Sequence, residues 1–204
     1  MRNLTKDDLI RAQIPELYWG NKLKNIPDSV SYKARIKNYM AKIDEMMSRG
    51  IGLYLWSPEN STGKTTISTI IGKHAMKCGY TVLFIPSFNL IRSTFDKTPF
   101  DETGTLFQRA HDVNLLIIDD ADKEYKDAKG YSDNIIENVI RARNQKKRAT
   151  IMTSNLHPKD LKNVYSKSFS ELLRECVIAI EIFGKDKGGL NWRAMKEKEL
   201  RDLI

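Results

Sequence analysis

The run Ser57-Pro58-Glu59-Asn60-Ser61-Thr62-Gly63-Lys64-Thr65-Thr66 ends in a glycine, a lysine and two hydroxyls, the residue types that hold a polyphosphate. In a tight loop opening a helix, backbone N–H groups surround the phosphates and the helix dipole favours their charge. Lys64 would neutralise the β- and γ-phosphates and the Thr65 hydroxyl would ligate Mg²⁺. Asn60, Ser61, Thr62, Gly63 and Thr66 complete the cradle. The surroundings agree, since the apolar run Ile51–Trp56 precedes the loop and a helical pattern (Ile67, Ile70, Ile71, His74) follows at once. Two positions depart from the pattern GxxxxGK[ST]: its first glycine falls at Pro58, and the middle glycine common in such loops falls at Ser61. Proline removes an N–H and fixes φ, and serine restricts close backbone approach. The competing reading is a chance GKT after a strand.

A second motif narrows the choice. Asn114-Leu115-Leu116-Ile117-Ile118-Asp119-Asp120 reads as a buried strand ending in two acids, about fifty residues after the loop. Parallel strands deliver functional side chains at their carboxyl ends. There Asp119 would hold Mg²⁺ through its water shell, and Asp120 would orient or deprotonate an attacking water. An acidic turn after a strand is the plain alternative, but the two motifs together point to a nucleoside triphosphate. Thr150-Ile151-Met152-Thr153 leads into Ser154-Asn155-Leu156. Asn155 would bond a γ-phosphate or the water; its plain reading is an Asx turn or the cap of a helix near His157 and Pro158.

These groups need a scaffold, and the pattern supplies one. A helix beginning after Ser29 or Ser31 carries Ile36, Met40, Ile43 and Met47 at helical spacing and stops at Gly50. Ile51–Trp56, Thr81–Ile85, Val113–Ile118, Thr150–Thr153 and Val177–Ile182 are short apolar or β-branched runs divided by helical patterns. That alternation predicts a single α/β domain whose parallel sheet is covered on both faces. The 204 residues, 41% hydrophobic and 29% charged, suffice for one core. No run approaches the ~20 apolar residues of a membrane span, and the N-terminus lacks a secretory signal. Cys78 and Cys176 form no metal or disulfide framework, which suits a reducing cytosol. The net charge of +8 favours a polyanion partner. One basic run, Arg141, Arg143, Lys146, Lys147 and Arg148, is either a solvated helix end or a nucleic-acid contact.

Strand–GKT–helix, then LLIIDD, then TIMTSNL resembles the AAA+ ATPases of the DnaC/IstB type, the replicative helicase loaders and transposition helpers. Ile14-Pro15-Glu16-Leu17-Tyr18 is similar to the segment that opens the ATPase domain there. The resemblance implies an AAA+ domain over 14–193, with a short segment 1–13 before it and a C-terminal helix over 194–204. It implies a five-stranded parallel sheet in the order 5-1-4-3-2, binding of ATP and Mg²⁺, and assembly into rings or spirals on DNA. Carried over by position, Gly63, Lys64 and Thr65 are the Walker A core, Asp119 the Walker B acid and Asn155 sensor 1. Asp120 stands where the family has its catalytic glutamate, one methylene shorter. Arg174, in Ser170–Glu175, matches the arginine that completes a neighbouring subunit's site, or is a surface arginine paired to Glu171. About thirteen residues are too few for the helicase-binding module that loaders of this group usually carry. Tyr18 is near the adenine by position.

The implied partners are a replicative DNA helicase and single-stranded DNA, with no membrane and a cytoplasmic location. Phe88, Arg92, Phe95 and Lys97, near Ser87–Asp96, mix aromatic and basic residues as strand binding requires; the spacing of Phe88 and Phe95 beside Leu90 and Ile91 reads equally as core. A helicase would dock on Thr5–Arg11, on Ala194–Ile204 or on the ATPase surface. The alternatives to a loader are a transposition helper on double-stranded DNA, an ATP-gated assembly factor with little hydrolysis, and a small-molecule kinase, against which the TSN strand end argues.

Overall fold

The computed structural model describes residues 2–95, 104–121 and 131–183, with the backbone alone for 131–134. Its elements run α1 (Lys6–Arg11), α2 (Ser31–Ala41), α3 (Ile43–Arg49), β1 (Gly52–Trp56), α4 (Lys64–Lys77), β2 (Val82–Pro86) and α5 (Ser87–Arg92). Then follow α6 (Leu106–Asp112), β3 (Leu115–Asp119), α7 (Tyr131–Gln145), β4 (Ala149–Ser154), α8 (Lys167–Cys176) and β5 (Val177–Glu181). The five strands form one sheet in the order β2-β3-β4-β1-β5, every pairing parallel. This is the predicted 5-1-4-3-2 order, and each strand lies within two residues of its expected bounds.

Parallel strands need helical crossovers, and these cover both faces. The two-residue strand period divides the core accordingly. Leu115 and Ile117 pack with Leu53, Leu55 and Ile151 under α2, α3 and α4. Leu116 and Ile118 pack with Tyr54, Leu83 and Met152 under α5, α7 and α8. Among the described residues no helix is long and apolar enough to cross a membrane.

The first long helix differs from expectation in two ways. Buried Val30 holds its N-cap position, and no side chain caps it, Ser29 and Ser31 included. It also breaks at Lys42, and Tyr39, absent from the expected stripe, joins the half-buried Met40 against the core, its hydroxyl donating to the Ile51 carbonyl at 2.8 Å. Gly50 ends α3 as expected.

Residues before 14 pack onto the sheet. Thr5 and Asp8 form a reciprocal cap on α1, Leu9 and Ala12 are buried with Ile14, and the Phe84 N–H donates to the Ala12 carbonyl at 2.8 Å. That bond occupies the outer edge of β2 at Phe84, where an edge strand would otherwise leave an N–H unpaired. The expected turn at 185–189 and helix at 194–204 lie outside the described residues, as does Lys97.

Candidate nucleotide site

The carboxyl ends of β1, β3 and β4 meet where α4 begins. Gly63, at φ +96°, turns the chain into α4, whose first turn carries no side-chain cap. Its leading N–H groups are therefore available to an anion. Ser61 has φ +63°, the left-handed conformation glycine adopts without cost. The serine does not prevent the loop from forming; it leaves a strained residue there, at about 1–2 kcal/mol. Asn60 is exposed at the loop tip, whereas Thr62 is buried and its hydroxyl has no partner among the described residues. An unpaired buried hydroxyl is costly, and an incoming phosphate oxygen would satisfy it. Thr66 is 5% exposed and packs with the inner face of α4.

Lys64, 7% exposed, crosses the loop. Its ammonium donates to the Glu59 carbonyl at 2.9 Å, to the Ser57 carbonyl at 3.5 Å and to Asn155 Oδ1 at 2.8 Å. The Thr65 hydroxyl lies 3.0 and 3.1 Å from the two Asp119 carboxylate oxygens. Loop, β3 and the end of β4 are thus joined at one point, as the three motifs predicted. The Tyr54 hydroxyl holds the turn after β4 through the Leu156 carbonyl at 2.9 Å, and Trp56 meets His157 edge-on at 4.5 Å.

A hydroxyl beside a carboxylate is a hard-oxygen donor set that fits Mg²⁺. Among the described residues no group of three or more His, Cys, Asp or Glu could hold a metal. A cation at Thr65 and Asp119 would therefore take its remaining oxygens from phosphate and water, the usual arrangement for Mg²⁺.

Asp120 is in a left-handed conformation, φ +54°. Its carbonyl accepts from Ser87 Oγ at 2.8 Å and its N–H donates to Thr153 Oγ1 at 2.9 Å. Thr153 was not singled out from the sequence, where it is one strand residue among several; it also donates to Asp119 Oδ1 at 2.6 Å.

Lys73 was missed as well. From the third turn of α4 it reaches the carbonyls of Trp19 at 3.0 Å and Asn21 at 2.6 Å, and that of Tyr18. Burial, with Lys77 and Lys22 nearby, pulls its pKa down to about 8. The clamped segment sets the Tyr18 hydroxyl within reach of the Thr65 side chain, and burial and the Asp119 charge raise the Tyr18 pKa. Its position links Tyr18 to the Thr65–Asp119 pair rather than marking out a place for adenine.

Arg174 is not brought to this chain's loop. It is exposed on α8, which buries Phe169, Ser170, Leu173 and Cys176. It is a surface arginine, and among the described residues the expected pairing with Glu171 is not made.

The basic run divides: Arg143 turns into the core, Arg141 and Arg148 are half-buried, and Lys146 and Lys147 remain exposed at the helix end, as the solvated reading expects. Arg143 is fully buried and donates to Thr150 Oγ1 at 3.0 Å and to the carbonyls of Ala110, Val113, Asn114 and Ala149. Arg141 bonds Ser168 at 2.9 Å, Lys146 pairs with Asp112 at 3.5 Å, and Arg148 donates to the Asp112 carbonyl. Phe88 and Phe95, conversely, are 50% and 69% exposed, which overturns their reading as core. Leu90 supplies the buried contact of α5, and Arg92 is exposed beside them.

Residues 47–170 match a family described as IstB-like ATP binding protein, a span containing every one of these site residues except Tyr18 and Arg174. The chain belongs to that family. It is an AAA+ P-loop ATPase domain of the DnaC/IstB type. The replicative helicase loader DnaC of Buchnera aphidicola subsp. Schizaphis graminum is 24% identical over 167 residues, 80% of this chain and 67% of that protein. A crystal structure of the DnaC helicase loader superposes with a TM-score of 0.69 at 19% identity, over 83% of this chain and all of that one. The replication initiator DnaA bound to AMPPCP and single-stranded DNA gives 0.63 at 17% identity, over 82% of this chain and 51% of that one. The AAA+ domain thus spans about half to two thirds of several such relatives.

Proposed function

We propose that this AAA+ domain is the nucleotide-controlled part of a replicative helicase loader, which binds ATP with Mg²⁺, hydrolyses it, and acts on single-stranded DNA as a ring or spiral of subunits. The observation that carries the reading is the junction of Lys64 with Asn155 and of Thr65 with Asp119 at the end of the phosphate loop. The similarity to DnaC supplies the loader context.

ATP would be the substrate, and a Mg²⁺ held by Thr65 and Asp119 would supply charge neutralisation at its phosphates. The protein's own residues position and polarise. Lys64 exchanges loop carbonyls for β- and γ-phosphate oxygens, a stronger charge-assisted contact. Thr65 and Asp119 hold the cation, and Asn155 orients the γ-phosphate or the water. Asp120 accepts the water's proton from one methylene further back than a glutamate would. Misplacement by about 1 Å costs about 100-fold in rate, so turnover is slow. Arg174, exposed on α8, serves the neighbouring subunit's site. Phe88, Phe95 and Arg92 offer bases a stacking surface and the backbone a charge.

A second reading is favoured by the family match: a transposition helper acting on double-stranded DNA. A third, an ATP-gated assembly factor with little hydrolysis, is favoured by the strained Ser61 and the short Asp120.

Steady-state ATP turnover, with single-stranded DNA, with duplex and without DNA, beside Lys64→Ala, tests these readings. Stimulation by single strands that Lys64→Ala abolishes supports the loader, and preferential stimulation by duplex supports the transposition helper. ATP binding with no turnover above Lys64→Ala leaves the assembly factor.

A further inference from the structure

Thr153 is completely buried, and its single hydroxyl is spent in two directions. It donates to Asp119 Oδ1 at 2.6 Å and accepts from the Asp120 N–H at 2.9 Å. Its main-chain carbonyl accepts from the Ala121 N–H at 2.9 Å. One residue of β4 therefore brackets all three residues at the end of β3. The bond to Asp119 has the short length of a charge-assisted O–H···O⁻ contact, which fixes the carboxylate as well as satisfying it.

The consequences fall on the acids rather than on the sheet. With Oδ1 tied from the β4 side, rotation of the Asp119 carboxyl is opposed, and both of its oxygens stay near the Thr65 hydroxyl, at 3.0 and 3.1 Å. The Asp120 N–H is held while that residue keeps φ +54°, so the same hydroxyl supports the turn that aims the second acid. Asn155, which meets Lys64, follows two residues further along the chain. A shift at this end of β4 thus reaches the metal acid and the phosphate-sensing amide together.

We propose that Thr153 is a positioning residue for the metal site: its hydroxyl orients Asp119 toward the cation and couples the end of β4 to Asp120. The inference rests on the reading of Asp119 as the metal acid. Outer-sphere partners of this kind change metal affinity by about 10–100-fold when removed.

The test uses the whole chain with Thr153→Val, which keeps the shape and loses the hydroxyl, and Thr153→Ser, which keeps the hydroxyl and loses the methyl. The readout is the affinity for N-methylanthraniloyl-ATP in EDTA and across a Mg²⁺ titration, with urea midpoints alongside. Thr153→Val should bind as wild type in EDTA and need about 10-fold or more extra Mg²⁺ for half-saturation. Thr153→Ser should restore the wild-type midpoint. A Thr153→Val protein with unchanged Mg²⁺ dependence overturns the inference, as does a Thr153→Ser protein that is the more impaired of the two. Should Thr153→Val fail to fold, Thr153→Ala takes its place against Thr153→Ser, with the same criteria. Asp119→Asn separates the two levels. If it leaves the Mg²⁺ dependence unchanged, the metal-acid reading fails and the inference with it; if it abolishes that dependence while Thr153→Val does not, the inference alone fails.

Discussion

The Lys64 ammonium donates to Asn155 Oδ1 across 2.8 Å, joining the phosphate loop to the end of β4 over 91 positions of chain. Lys64 is held by two loop carbonyls as well, so it stands ready to exchange those neutral acceptors for phosphate oxygens. Lys64→Ala should weaken ATP binding by about 10–100-fold, the equivalent of about 1.5–3 kcal/mol for a hydrogen bond to a charged group. Asn155→Ala should chiefly lower turnover. Because the two side chains touch, the double variant should lose less than the sum of the single losses, as measured by nucleotide titration and steady-state kinetics.

Ser61 carries the left-handed backbone at φ +63° that a glycine would carry freely. Ser61→Gly should stabilise the protein by up to about 1 kcal/mol, the relief of strain exceeding the entropy glycine adds to the unfolded chain. Urea unfolding measures this. A destabilised variant would mean that the serine side chain, not the backbone, governs the loop.

Arg143 and Arg92 should behave as opposites. Arg143 satisfies four main-chain carbonyls and one hydroxyl from a fully buried position. Arg143→Leu leaves those acceptors without donors and should cost about 3 kcal/mol or more in urea unfolding. Joint replacement of the exposed Phe88 and Arg92 by alanine should leave stability within about 0.5 kcal/mol. It should weaken single-strand binding and lower the salt slope by about 1. Unchanged DNA affinity would remove α5 from the proposed interface.

Lys73 gives a pH dependence with a definite sign. Its pKa falls from 10.5 to about 8, chiefly through burial, while three carbonyls favour the charged form. Between these values the unfolded chain holds the extra proton, so this group's contribution to stability rises with pH across that window and is flat below it. Unfolding free energies of wild type minus those of Lys73→Met should therefore increase from about pH 8 to pH 10. A flat difference would mean that the carbonyls keep Lys73 charged at its ordinary pKa.

The sequence by itself determined the strands, their parallel order through the family resemblance, and the loop, acids and amide that meet at their carboxyl ends. These are local patterns: apolar runs of strand length, a glycine before a helix, two acids after a buried strand. Tertiary structure decided which side chains face inward and what holds the site in place. A basic run suggested a surface, yet Arg143 enters the core because α7 carries it to carbonyls of α6 and β4 up to 33 positions away. Two phenylalanines near Leu90 suggested core, yet α5 buries Leu90 and leaves Phe88 exposed, and Phe95, beyond its end, is exposed too. Thr153 and Lys73 gave no local signal, because their partners, Asp119 and the Tyr18–Asn21 segment, lie 34 and 52–55 positions away. Periodicity along a chain reports burial against a sheet on average; a single hydrogen bond between distant segments is set only when packing brings donor and acceptor together.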